Sequence, residues 1–261
     1  MIYLNGESYC YSVFPNKEIK MPTVHFEKTN VITLKYENSD DLIALMFLKR
    51  YLDEHNLNDG YTILEMYYIP YERMDRETTN QMFTAKYFGE FINSLNFNRV
   101  TVLDPHSNII MAVLNKAVPI KLKNFIFSHH MDWYDYIFYP DNGAKKKYSE
   151  ILDPSPKPYF YGEKHRNLET GLIDDYDIIN PPDLNGKNVL IIDDLCVKGF
   201  TTLNAAKKLK QLGVNKVYFY CSHCEQAIHE GELLKTDYVD KIYTTNSLIF
   251  KEHPKIFTFC L

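Results

Sequence analysis

A chain of 261 residues with 45% hydrophobic side chains can bury a sizeable core, as one large or two small α/β domains. Its formal net charge of -5 and pI near 6.0 exclude a broad basic nucleic-acid footprint and leave room only for a local basic cluster that binds small anions. The apolar runs are too short to span a bilayer, no signal-peptide pattern is evident, and cysteines at 10, 196, 221, 224 and 260 form no disulfide framework, so the expected setting is reducing and cytoplasmic, with no membrane partner.

Strand-like and helix-like segments alternate, which predicts a mainly parallel sheet covered by helices. Residues 31–34 read as a strand. Asp40 and Asp41 then open a helix with Leu45, Leu48 and Leu52 on one face, closed before Asn58. Residues 61–69 form the next strand, stopped by Pro70. Thr78 or Thr79 is expected to cap a helix carrying Phe88, Phe91, Ile92 and Leu95 at helical spacing. Residues 100–103 deliver Asp104 and His106 at a third strand end. A second set follows, with strands at 124–127 and 136–139, a proline-rich connector at 153–158, a strand from 159, and another at 216–220. The pattern is two similar α/β halves with a boundary near 118–124. The 21 tyrosines and 16 phenylalanines are expected to fill cores and subunit contacts.

The most informative segment runs from Asn188 to Thr202. An apolar strand ends in Asp193 and Asp194, and a loop holding Gly199, Phe200, Thr201 and Thr202 leads into a helix that stops at Gly213. Backbone N–H groups at a helix N-terminus suit a phosphate. Carboxylates at the carboxyl end of a buried strand suit the vicinal hydroxyls of a sugar. Together they read as a ribose-phosphate site; an ordinary βα turn with a solvated acidic pair is the bland alternative. Cys221 and Cys224 form a CxxC without a second pair, and they are read as structural thiols.

These segments resemble the ribose-phosphate diphosphokinases, the phosphoribosyl-diphosphate synthetases. The likeness rests on Phe14-Pro-Asn-Lys-Glu18, Tyr71-Glu-Arg-Met-Asp75, Asp104-Pro-His106, Pro140-Asp-Asn-Gly143, Glu163-Lys-His-Arg166, Ser222-His223 and Asn246-Ser247, which occur in the family's order. The resemblance implies two phosphoribosyltransferase-like α/β domains, each a mainly parallel sheet flanked by helices. Residues 1–122 would form the nucleotide side and 123–261 the ribose-phosphate side.

The implied reaction is Mg²⁺-dependent transfer of the β,γ-diphosphate of ATP to the anomeric hydroxyl of a ribose 5-phosphate moiety, with release of AMP. Lys164 and Arg166, in a flexible loop, would close over the phosphates, with Asp193 as the third catalytic residue. His106 and Asp141 resemble the Mg²⁺-associated residues, of which Asp141 suits an oxygen-seeking cation better. Phe14, Asn16 and Glu18 would reach the adenine of a neighbouring subunit in a homo-oligomer with a shared nucleotide site. Arg73 would stack on the base, with Asp75 and His106 nearby. One of Lys145, Lys146 and Lys147 would face the triphosphate, or all three form a solvated helix face.

The loop after the acid pair departs from the family. Val197 replaces an acidic residue, Lys198 adds a cation, and Phe200 stands where a glycine is expected. Either the glycine has moved to Gly199 and the pocket takes free ribose 5-phosphate, or the pocket takes ADP-ribose. In the second case Lys198 would meet the second phosphate and Phe200 would stack on the adenine, as for phage-borne relatives linked to NAD rebuilding. ADP-ribose stands slightly ahead. A phosphoribosyltransferase and a catalytically silent regulatory relative are the rival readings.

Overall fold

The computed structural model describes residues 1–55, 60–120, 122, 133–153, 157–166, 173–248 and 251–261; for 164–166 and 173–175 it describes the backbone alone. The chain divides into two compact units, Met1–Ile120 and Lys121–Leu261. No helix among the described residues is long and apolar enough to cross a membrane.

The first unit opens with β1 (Ile2–Leu4) and β2 (Glu7–Tyr9), an antiparallel hairpin whose turn residues Asn5 and Gly6 both have positive φ. A second small hairpin, β3 (Ser12–Val13) and β4 (Ile19–Lys20), stands apart from the main sheet. Then come β5 (Thr29–Leu34), α1 (Asp40–His55), β6 (Tyr61–Met66), α2 (Thr84–Ser94), β7 (Arg99–Val102), α3 (Asn108–Val113) and β8 (Ala117–Pro119). The sheet order is β2-β1-β5-β6-β7-β8, parallel from β5 onward. Helix α1 buries Ala44, Leu45, Leu48 and Leu52 at the expected spacing.

Helix α2 starts at Thr84, later than the Thr78 or Thr79 cap predicted from sequence. Thr78 and Gln81 instead exchange backbone hydrogen bonds of 2.9 and 3.3 Å in an isolated bridge, which takes the groups a cap would have used.

The second unit is a seven-stranded sheet in the order β11-β10-β9-β12-β13-β14-β15. Its members are β9 (Tyr136–Tyr139), β10 (Tyr159–Arg166), β11 (Ile173–Ile179), β12 (Asn188–Cys196), β13 (Lys216–Cys224), β14 (Lys241–Thr245) and β15 (Ile256–Phe259). Only the β10–β11 pair is antiparallel. Helix α4 (Asn142–Ile151) follows β9, and α5 (Phe200–Gln211) follows β12. The strand expected at 124–127 lies outside the described residues.

Each sheet has its own core. Ile32, Leu64, Val102 and Ile92 anchor the first, and Ile191, Phe219, Ala206 and Leu209 the second. The near-continuous apolar runs of β9 and β12 fit strands covered on both faces.

Candidate active site

β12 carries the acid pair and runs past it: Asp193 and Asp194 lie within the strand, which continues to Cys196 beside Cys224 of β13. Both carboxylates are half-buried. The Asp194 backbone N–H donates to Asp193 Oδ1 at 3.0 Å, and Lys147 of α4 places its Nζ 3.7 Å from Asp194 Oδ2. The Lys147 side chain is 20% exposed and that of Asp194 13%, so this pair is shielded from bulk solvent. Of the three adjacent lysines, Lys145 stacks over the Tyr161 ring at 3.8 Å, and Lys147 is the one that reaches the acid pair.

Gly199 is the residue before α5, and it adopts φ +75°, the left-handed region. A Cβ there would sit 2.5 Å from Leu233 Cδ2, so a side chain is excluded both by conformation and by space. Phe200, Thr201 and Thr202 are already the first turn of α5 rather than loop. Their backbone N–H groups have no intrahelical acceptor, and they gather at the positive end of the helix dipole, a short connection after the strand that carries the acid pair. Thr202 is buried, whereas Phe200 is 61% exposed. Lys198 is exposed and pairs with Glu230 at 3.1 Å.

Asp141 is the N-cap of α4: its Oδ1 accepts the Ala144 N–H at 2.8 Å. Tyr176, on β11, donates from its hydroxyl to the Pro140 carbonyl at 2.9 Å. Burial pushes the Tyr176 phenol far up, and the charges of Asp141 and Asp193 add to the shift, so both carboxylates act on one buried ring.

Lys164 and Arg166 do not occupy a loop. They lie on β10, paired in register with Tyr176 and Ile173 of β11, with a register shift between His165 and Arg166. The polar run 163–166 lacks the apolar alternation that marks a strand in sequence, and it is extended because β11 supplies an antiparallel partner.

Farther along the same strand ends, His223 is buried and its Nδ1 lies 2.8 Å from Ser247 Oγ. Thr245 Oγ1 donates to the Ser222 carbonyl at 2.6 Å, so the segments holding Ser222-His223 and Asn246-Ser247 form one hydroxyl network. Cys196, Cys221 and Cys224 are buried in the core beside it, and all five cysteines are free thiols.

In the first unit, Phe14, Asn16 and Glu18 share the turn joining β3 to β4. Phe14 N–H donates to Glu18 O at 2.8 Å, and Glu18 N–H to Asn16 Oδ1 at 3.2 Å. All three are exposed, Phe14 at 47%. Arg73 is also exposed, and Asp75 is buried at the turn that follows β6. Burial raises the Asp75 pKa, but hydrogen bonding and charge from Arg76, together with the nearby His106, outweigh this and hold it below the usual carboxylate range. His106 follows β7, exposed, and its backbone N–H donates to Glu72 Oε2 at 3.0 Å.

Sequence reasoning missed Glu72 and Tyr176. Glu72 lies inside a segment singled out for its neighbours, and Tyr176 carries no local signal. Among the described residues, no group of three or more His, Cys, Asp or Glu side chains is arranged to hold a metal ion.

No protein-family model matches the chain. By sequence it is similar to a ribose-phosphate pyrophosphokinase of Thermoplasma acidophilum, 33% identical over 128 residues, which are 48% of this chain and 42% of that one. A ribose-phosphate pyrophosphokinase of a Marinomonas species is 26% identical over 69% of this chain and 59% of its own length. The likeness to that of Saccharolobus solfataricus is 24% over 95% of this chain and 83% of the relative. The chain thus spans less than two thirds of the first two relatives. By fold it matches a phosphoribosylpyrophosphate synthetase from Mycobacterium smegmatis with a TM-score of 0.76, at 17% identity, over 97% of this chain and 86% of that one. In sequence the chain is thus similar to ribose-phosphate pyrophosphokinases, and in fold, with its two α/β units, to a phosphoribosylpyrophosphate synthetase.

Proposed function

We propose that this protein transfers the β,γ-diphosphate of ATP to the anomeric hydroxyl of a ribose 5-phosphate moiety and releases AMP. One observation carries the reading: the strand that holds Asp193 and Asp194, with Lys147 at Asp194, leads through the short connection 197–199 into the N-terminus of α5. The carboxylates suit the ribose hydroxyls, and the first-turn N–H groups suit its phosphate. The names of the sequence relatives support the same chemistry.

On this reading residues 123–261 hold the ribose phosphate and residues 1–122 hold the nucleotide. The exposed Phe14 ring and the exposed Arg73 suit the two faces of an adenine. The exposed turn with Asn16 and Glu18 suits delivery of these groups to a second copy of the chain. Lys164 and Arg166 are assigned to the phosphate chain, where negative charge builds as AMP departs.

The donor set suits Mg²⁺, which needs only one or two carboxylates and keeps its waters and substrate phosphates as other ligands. Asp141 follows β9 and Asp193 lies on β12, the parallel neighbour of β9, and these are the carboxylates that would hold it. Mg²⁺ bound there would offset charge on the diphosphate. His106 is the corresponding candidate in the first unit.

The acceptor is either free ribose 5-phosphate, as the names of the relatives suggest, or ADP-ribose. The second is favoured by Phe200, a large ring 61% exposed on the first turn of α5. Product analysis with Mg-ATP and each acceptor tests both levels. Acceptor-dependent release of AMP is expected, and ADP as the nucleotide product would sink the diphosphotransferase reading. A higher kcat/KM for ADP-ribose that falls on Phe200→Gly supports the extended pocket, whereas turnover of ribose 5-phosphate alone excludes it.

A further inference from the structure

In the first unit, the turns that follow β6 and β7 stand side by side, because these strands are parallel neighbours in the sheet. The β6 turn carries Tyr71, Glu72, Arg73 and Asp75, and the β7 turn carries Asp104 and His106. Glu72 is a carboxylate only 1% exposed, and its Oε2 accepts the His106 backbone N–H at 3.0 Å. Burying a carboxylate is unfavourable unless its oxygens are hydrogen-bonded, and an N–H bond to a charged oxygen is stronger than one to a neutral acceptor.

The backbone beside this bond is strained. Tyr71 has φ +66° and Asp104 φ +43°, a region that non-glycine residues enter at a cost. Such conformations persist where surrounding contacts over-determine them, and they gather at functional sites. The β6–β7 register ends at Met66 and Val102, before both turns, and beyond it side chains can tie the turns together. Glu72 supplies one such tie.

We propose that Glu72 is a positioning residue that holds the His106 turn against the Arg73 and Asp75 turn, and so sets the geometry of the nucleotide side. This rests on the proposed reading of Arg73, Asp75 and His106. Glu72 itself touches no substrate and acts through the backbone of His106. Its length matters: aspartate keeps the charge but is one methylene short, while glutamine keeps the reach and an oxygen acceptor.

The experiment uses the full chain and four proteins: wild type, Glu72→Ala, Glu72→Asp and Glu72→Gln. Two quantities are read, steady-state kinetics with Mg-ATP and ribose 5-phosphate, and hydrogen exchange of the His106 amide by NMR. Glu72→Asp is expected to raise the KM for Mg-ATP about tenfold, with the acceptor KM within about twofold, and to speed His106 exchange at least tenfold. Glu72→Gln should bring both back to within about threefold of wild type. Glu72→Ala should resemble Glu72→Asp, and if it fails to fold, the Asp variant carries the test. Folded Asp or Ala variants with wild-type KM for Mg-ATP overturn the proposal, and so does His106 exchange that does not change. Wild-type protein that never turns over ATP would instead refute the proposed reaction, and the His106 amide would still report on Glu72.

Discussion

Lys147 Nζ of α4 lies 3.7 Å from Asp194 Oδ2 of β12, so the helix after one strand supplies the counter-charge for a carboxylate on its neighbour. With both side chains largely shielded, the attraction between the two charges is screened less than at an open surface. Lys147→Met keeps the length of the stem and removes the charge. It is expected to raise the acceptor KM about tenfold, which corresponds to about 1.4 kcal/mol, and to change the KM for ATP much less. Lys145→Met, on the neighbouring position over Tyr161, should alter acceptor KM by less than about threefold. Steady-state kinetics with each substrate varied decides this, and equal effects of the two substitutions would refute the role of Lys147.

What the sequence made visible and what it hid follow from how local each signal is. The β12 strand and acid pair were readable because four successive apolar residues run straight into two carboxylates. The buried stripe of α1 was readable from leucine spacing alone. The start of α2 was misplaced because the bridge between Thr78 and Gln81 competes with a cap, and neither residue announces it. Lys164 and Arg166 were expected in a loop because their strand character comes from β11, a partner no local pattern specifies. Choosing among three lysines needed the phase of α4, which is set by Ala144 and Tyr148 facing the core. Glu72 and Tyr176 were invisible because their importance lies in contacts made across 34 and 36 residues.

Gly199 is held at φ +75° with Leu233 Cδ2 2.5 Å from where a Cβ would go. Gly199→Ala should destabilise the protein by roughly 2–5 kcal/mol, combining about 1–2 for the left-handed backbone with about 1–3 for overpacking. Leu233→Ala in the same chain removes the steric part but not the backbone part. Denaturant unfolding of both single variants and the double variant should therefore show favourable coupling of about 1 kcal/mol or more. Strict additivity would mean that the two side chains do not meet.

Burial raises the pKa of Tyr11, Tyr139 and Tyr176, and neighbouring carboxylates add to this at Tyr11 and Tyr176. A phenol whose folded pKa exceeds its unfolded value of about 10 contributes stability that is fully present below pH 10 and is lost as pH rises toward the folded value. Denaturation free energy should then stay flat up to about pH 10 from this source and fall beyond it. An absorbance titration of the phenolate band should show one class of tyrosines ionising near pH 10 and a second class ionising only as the fold is lost. Reversible ionisation of all 21 tyrosines near pH 10, with circular dichroism unchanged, would contradict the burial described above.

The central claim is that a diphosphoryl group leaves ATP intact. The most direct measurement follows ATP labelled at the β-phosphorus in the presence of Mg²⁺ and ribose 5-phosphate or ADP-ribose, with products separated and identified by mass. Transfer through the Asp193 and Asp194 site predicts that the β label moves to C1 of the sugar together with the γ-phosphate, and that the nucleotide product is unlabelled AMP. A β label that stays with the nucleotide as ADP, while only the γ-phosphate reaches the sugar, would contradict the account.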